Sequence, residues 1–234
     1  MNILVAGMMR SGSTLLFNMI VKIYKTQMPA KKLHIKRFEW LKQKAASEPT
    51  NDIVCTKTHM PSEPGLKWAN LIFTTKRDIR DSCASGWRRR ENDYKKRKTR
   101  TLGKKDEVLQ TLCKQNIAYF NEWKKHTSYE LVYERYMTEP LVVIEEVSKV
   151  LNLPINDPIA LKSIYDYLEF LPTDKNLNDK KEHPETLLSK DHKTNNGEIG
   201  GYKKTLNKQE IKDLQALCKD WLIENGYPPS EDNS

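Results

Sequence analysis

This chain has no pair of cysteines at metal-binding or redox spacing. Its four, Cys55, Cys83, Cys113 and Cys218, are widely separated. Without a C-x-x-C element, a zinc ribbon or dithiol redox centre is not expected, and a reducing compartment is the simpler setting. Long apolar runs are also missing: the longest fall well short of the roughly 20 residues that span a bilayer. No basic region precedes an apolar stretch at the N-terminus, so a cleaved signal peptide is not expected and the cytoplasm is the expected location. No segment repeats. Negative charge is in deficit, with 31 Asp and Glu against 40 Lys and Arg, a formal net charge of +9. That imbalance suits an anionic partner such as a nucleotide, an acidic substrate, a membrane surface or nucleic acid, without choosing among them.

At 234 residues and 38% hydrophobic content, the chain can bury a full core. The expectation is one domain over residues 1–227, with a frayed tail at 228–234. Its most informative segment is the first twenty-five residues. Asn2-Ile3-Leu4-Val5-Ala6 is a short apolar run of the kind buried in a parallel sheet. Gly7-Met8-Met9-Arg10-Ser11-Gly12-Ser13-Thr14 follows, and then an apolar helical stretch from Leu15 to Tyr24. Strand, glycine-punctuated loop and helix is the geometry that holds a phosphate on backbone N–H groups at a helix N-terminus. The Gly7-x4-Gly12 spacing matches the nucleotide-binding P-loop, yet position 13 is serine where that loop has lysine. The cation stands at Arg10 instead, which argues against a site for the β- and γ-phosphates of ATP.

Further short apolar runs at Ile53–Thr56, Leu71–Thr75 and Leu131–Tyr133 read as strands. Helical patterns are expected around Phe38–Leu41, after Asp81, over Val108–Lys125, Leu141–Leu151 and Lys208–Asn225, the last capped by Gly226. Residues 172–204 read as an extended polar loop. Strands separated by crossover segments predict an α/β fold, a central parallel β-sheet flanked by helices. In such sheets ligands sit beyond the carboxyl ends of the strands, and Arg10, His59 and Arg77 each fall at or just past one.

Arg10-Ser11-Gly12-Ser13-Thr14 resembles the 5′-phosphosulfate loop of the sulfotransferases that use 3′-phosphoadenosine 5′-phosphosulfate (PAPS). Lys57-Thr58-His59-Met60-Pro61 is similar to the Lys-Thr-His-Leu-Pro segment of that family's cytosolic branch. Arg77-Asp78-Ile79-Arg80-Asp81, with Ser85 eight residues after Arg77, resembles its 3′-phosphate element. Tyr133-Glu134 resembles its Tyr-Glu-Asp-Leu motif, and Gly197-Glu198-Ile199-Gly200-Gly201-Tyr202-Lys203 its late Gly-x-x-Gly-x-Trp-Lys stretch.

The resemblance implies a P-loop-like sulfotransferase fold. It also implies a reaction that passes a sulfuryl group from PAPS to a hydroxyl or amine by in-line displacement, with no metal required. On that basis His59 is the expected general base, with Arg10 and Lys57 at the reacting centre. Arg10, Ser11, Gly12, Ser13 and Thr14 would hold the 5′-phosphate, and Arg77 and Ser85 the 3′-phosphate. Tyr133, Lys193, Asn196 and Gly197 would complete the nucleotide site. The acceptor would be a small molecule or a glycan, anionic character being one option; no nucleic acid is expected.

Three positions depart from the pattern. Leu15 stands where the cytosolic branch has an adenine-stacking Trp, Asn195-Asn196 where it often has Arg-Lys, and Tyr202 where it has Trp. Lys193 or Lys203 would then have to replace the missing cations, and weaker donor binding is expected. The basic stretch from Arg88 to Lys105 reads as a solvated face or mobile loop, as an attractor for an anionic acceptor, or as a contact for nucleic acid. A P-loop kinase and a basic nucleic-acid-binding protein are the rival readings.

Overall fold

The computed structural model describes residues 1–36, 52–97, 101–171, 183, 185–188 and 197–228. Five parallel strands form one sheet in the order β2-β3-β1-β4-β5. They are β1 (Asn2–Gly7), β2 (Leu33–Ile35), β3 (Ile53–Lys57), β4 (Leu71–Lys76) and β5 (Tyr129–Val132). β1 lies at the centre, and Ile3, Leu4, Val5 and Ala6 are wholly buried, since both faces of the sheet are covered by helices. That double burial is why the strand reads as a continuous apolar run rather than an alternating one.

On one face α1 (Ser13–Gln27), α6 (Pro140–Val150) and α7 (Pro158–Glu169) pack around Ile3, Val5, Phe17, Ile144 and Ile164. On the other, α4 (Lys105–Lys124) lays Trp123 against Leu4, Ala6 and Ile72. A second apolar core joins α3 (Ile79–Arg97) and α4 to the C-terminal helices α8 (Lys208–Leu217) and α9 (Lys219–Glu224), through Cys83, Leu109, Phe120, Leu214 and Trp221. Two short helices, α2 (Glu63–Trp68) and α5 (Tyr133–Thr138), complete the described fold. All four cysteines are buried and outside any disulfide. Among the described residues no helix is long and apolar enough to cross a membrane.

Several elements differ in extent from the sequence expectation. β5 ends at Val132, and Tyr133 opens α5 instead of closing a strand. β2 is a three-residue edge strand, half-buried throughout, with too few residues to show a pattern. The basic stretch is helical as far as Arg97, since α3 is anchored by its apolar first half, Ile79, Cys83, Ala84 and Trp87. The helix expected over Lys208–Asn225 is broken at Cys218, and the polar segment before it ends in a 3₁₀ turn at Gly201–Lys204. The helix expected around Phe38–Leu41 lies outside the described residues.

Candidate active site

The loop between β1 and α1 needs glycine at both ends. Gly7 has φ +109°, and a Cβ there would stand 2.7 Å from the backbone N and O of Thr75 on the adjacent strand. Gly12 has φ +97° and sits directly before α1; a Cβ would stand 2.8 Å from Cδ2 of Tyr133. Arg10 takes the left-handed conformation without being glycine (φ +63°), an uncommon state for a long side chain. Its Nε donates to Ser85 Oγ at 3.1 Å, which ties the first loop to the middle of α3. Ser11 is fully buried and donates to the Met8 carbonyl at 2.6 Å. Its hydroxyl therefore braces the loop from behind, leaving the backbone N–H as what Ser11 can offer a ligand. α1 has no acidic residue in its first turn, so nothing opposes an anion at its positive end.

β3 delivers the next two groups. Lys57 Nζ donates to Thr14 Oγ1 at 2.7 Å, directly over the start of α1. His59 Nδ1 lies 3.2 Å from the Gly7 carbonyl oxygen. A carbonyl can only accept, so the ring carries its proton on Nδ1 and keeps a lone pair on Nε2. The His59 backbone is pinned in turn, because the buried Trp123 Nε1 donates to its carbonyl at 2.9 Å. Burial, followed by the positive charge of Lys57 and more weakly of Arg10 and Arg89, lowers the imidazole pKa to about 4 against the opposing Gly7 hydrogen bond. The ring is thus neutral at physiological pH.

The end of β4 supplies Arg77, which is buried. Its Nη2 donates to the carbonyls of Glu198 at 2.9 Å and Gly197 at 3.3 Å, and its guanidinium lies 4.3 Å from the centre of the Tyr133 ring. Nε of Arg77 is buried with no hydrogen-bond partner among the described residues. Gly197 packs so tightly over Tyr133 that a Cβ would fall 1.7 Å from the phenol oxygen.

Asp81, whose role the sequence reading did not single out, organises this region. Its two carboxylate oxygens accept from the backbone N–H of Gly200 and Tyr202, each at 2.8 Å, and it lies 3.6 Å from Arg77. Burial pushes its carboxyl above the ordinary value despite those partners. Glu134 is likewise a brace: it accepts from the Asp78 N–H at 2.9 Å and from the Tyr227 hydroxyl at 2.8 Å.

These groups open on one cavity of about 690 Å³, a size that suits a nucleotide-scale ligand. It takes in every expected site residue except Ser11, behind the loop, and Lys193 and Asn196, which lie outside the described residues. The α1–α7 flank of the cavity is largely aliphatic, with Leu15, Leu168, Leu171 and Leu188, and carries one carboxylate, Glu169. On the α3 flank stand Arg88 and Arg89, three and four residues beyond Ser85 and so on the same helix face. That spacing is the signal in the sequence that could have separated them from their basic neighbours. Arg90 turns away to the carbonyls of Leu102 and Thr101, and Lys105 to Glu210, so the basic stretch is divided between the site and the scaffold. Lys203 is exposed and is not part of the cavity wall. Among the described residues no cluster of three His, Cys, Asp or Glu side chains could hold a metal ion.

Comparison with known proteins places this arrangement in context. No curated protein matches the chain. Solved structures do. A mouse sulfotransferase, SULT7A1, complexed with PAP superposes with a TM-score of 0.70 at 15% identity, over 96% of this chain and 84% of that one. A retinol dehydratase in complex with retinol and PAP gives 0.65 at 15% identity, over 94% and 81%. The same enzyme with androsterone and inactive cofactor PAP gives 0.57 at 16% identity, over 94% and 80%. The model of the sulfotransferase domain matches residues 1–226. With nearly the whole length matched and the loop, Lys57, His59 and Arg77 gathered on one cavity, the chain belongs to the sulfotransferase family.

Proposed function

We propose that the protein transfers a sulfuryl group from PAPS to a hydroxyl or amine acceptor by in-line displacement, with His59 as general base. One observation carries this reading: a neutral imidazole, a lysine and a phosphate-type loop meet in the same cavity as a buried arginine with an N–H that has no partner among the described residues. The residues present fit the donor. Gly7 and Gly12 let the loop close on Thr75 and Tyr133 where a Cβ would clash, and Arg77, whose Nε–H has no partner among the described residues, lines the cavity with Ser85 for a 3′-phosphate. Leu15, Leu168, Leu171 and Leu188 form an aliphatic wall for the base where the family's cytosolic branch has a stacking Trp.

When bound, PAPS supplies an electrophilic sulfur and a phosphate leaving group; the protein's part is positioning and charge. The loop N–H groups and Arg10 hold the 5′-phosphate and stabilise the charge that grows on its bridging oxygen. Lys57, held over Thr14, faces the same charge. His59 takes the acceptor proton at Nε2, because Nδ1 is committed to Gly7. Its low pKa keeps Nε2 unprotonated, and an anionic donor beside it lifts the pKa back towards the working range. The acceptor is a small molecule or glycan, the compartment is the cytoplasm, and the working unit is residues 1–227.

A thermal shift with adenosine 3′,5′-bisphosphate (PAP) but not with AMP tests donor recognition. Transfer that persists in EDTA separates this chemistry from a magnesium-dependent kinase. Equal shifts with both nucleotides, or none at millimolar ligand, would sink the reading. Steeply salt-dependent binding without preference for the 3′-phosphate would favour a nucleic-acid protein.

A further inference from the structure

The sequence places Asn195-Asn196 where a pair of cations would help hold the 3′-phosphate, and Lys203 is exposed away from the cavity. A different basic residue is in place. Arg88 lies one helical turn beyond Ser85 on α3 and lines the cavity with Ser85 and Arg77. Its Nη1 donates to Thr205 Oγ1, at the end of the 3₁₀ turn whose N–H groups are tied to Asp81. The head of Arg88 is thereby fixed relative to Arg77 across the same segment.

Two features mark this as an anion site. Nε of Arg88 and Nε of Arg77 are both buried, and neither has a hydrogen-bond partner among the described residues. Buried N–H groups on charged side chains are rarely left in this state, and here both belong to side chains that line one cavity. The two cations also repel each other: burial, then Arg77, lower the Arg88 pKa, with Asp81 and Glu198 opposing. A dianion between them would remove the repulsion and satisfy both donors.

We propose that Arg88 is a third ligand of the donor's 3′-phosphate, closing a clamp with Arg77 and Ser85 and replacing the cations that Asn195-Asn196 do not provide. The proposal rests on the PAPS reading above. It moves this position out of the acceptor-attracting role considered for the basic stretch as a whole.

Calorimetric titration of the full chain with PAP and with AMP tests it. Arg88→Ala is expected to lower PAP affinity about 10- to 100-fold, the range of a charge-assisted hydrogen bond, while AMP affinity stays within about twofold. Arg88→Gln keeps a donor for Thr205 without the charge and is expected to show the same selective loss. This second variant covers the case in which alanine disturbs folding. Arg88→Lys should recover part of the affinity. Wild-type preference for PAP retained in both neutral variants overturns the assignment, as does equal loss for PAP and AMP. If the wild type itself shows no preference for PAP, the donor reading fails first, and the two failures are distinguishable.

Discussion

The Nδ1 atom of His59 lies 3.2 Å from the carbonyl oxygen of Gly7, the residue that ends the central strand and opens the phosphate-type loop. One backbone carbonyl thus sets the tautomer of the expected base, and the same residue sets the start of the loop. Any shift of β1 relative to β3 would move both together. Their register is held by strand pairing at Leu4 with Thr56 and Val5 with Lys57, and by the Thr58 N–H on the Val5 carbonyl at 2.9 Å.

In the ligand-free protein His59 is expected to titrate near pH 4, well below the ordinary 6.5. Below about pH 6.5 the unfolded chain takes up a proton that the folded one refuses, so this group destabilises the fold increasingly as pH falls towards 4 and contributes nothing above 6.5. Long-range ¹H–¹⁵N NMR should show a protonated Nδ1 and a bare Nε2 at neutral pH, and PAP should raise the midpoint. A midpoint at 6.5 without ligand would contradict the assigned environment. His59→Ala is expected to abolish most turnover with PAP affinity nearly intact; a fully active variant would remove His59 from the mechanism.

Arg77→Ala is expected to weaken PAP binding by roughly 1.5–3 kcal/mol and to spare AMP. It should also lower the melting temperature, because Arg77 holds the carbonyls of Gly197 and Glu198 and faces the buried Asp81. Differential scanning calorimetry beside titration separates the two effects. Equal loss for PAP and AMP would mean that Arg77 reads something other than the 3′-phosphate.

Gly197→Ala places a methyl group 1.7 Å from the Tyr133 hydroxyl at a φ of +70°. The segment must then lift from Tyr133 and from Arg77. PAP affinity is expected to fall at least about tenfold, the worth of a typical site hydrogen bond, and the melting temperature to fall with it, since the Arg77 bonds to this segment are lost. Unchanged affinity would mean that this glycine does not shape the nucleotide site.

What the sequence made readable follows from distance along the chain. The loop, Lys57–Pro61 and Arg77…Ser85 are local patterns, each within nine residues, and the strand-end rule places them on one edge of the sheet. Asp81, Glu134 and Arg88 act through partners 119, 93 and 117 residues away, at Gly200, Tyr227 and Thr205. Nothing local distinguishes Asp81 from Asp78, and for Arg88 against Arg90 the helical spacing from Ser85 is the one local clue; the fold separates scaffold from site. β2 escaped notice for the opposite reason: with three residues it depends on pairing with β3 and has no periodicity of its own.

Arg89 gives the last prediction. Unlike Arg88, it makes no hydrogen bond or ion pair among the described residues, yet it lines the cavity and its charge reaches His59. A cation next to the base and outside the scaffold is placed to meet an acceptor rather than the nucleotide. Arg89→Ala is therefore expected to raise KM for carboxylate- or sulfate-bearing hydroxyl acceptors by about tenfold, with PAP affinity and the KM of neutral acceptors unchanged. Wild-type KM for the charged acceptors should climb with ionic strength, since a half-exposed cation is screened. Steady-state kinetics on matched acceptor pairs, one member carboxylated and the other amidated, would reveal the difference. A parallel rise for both members would show that Arg89 shapes the cavity without reading charge.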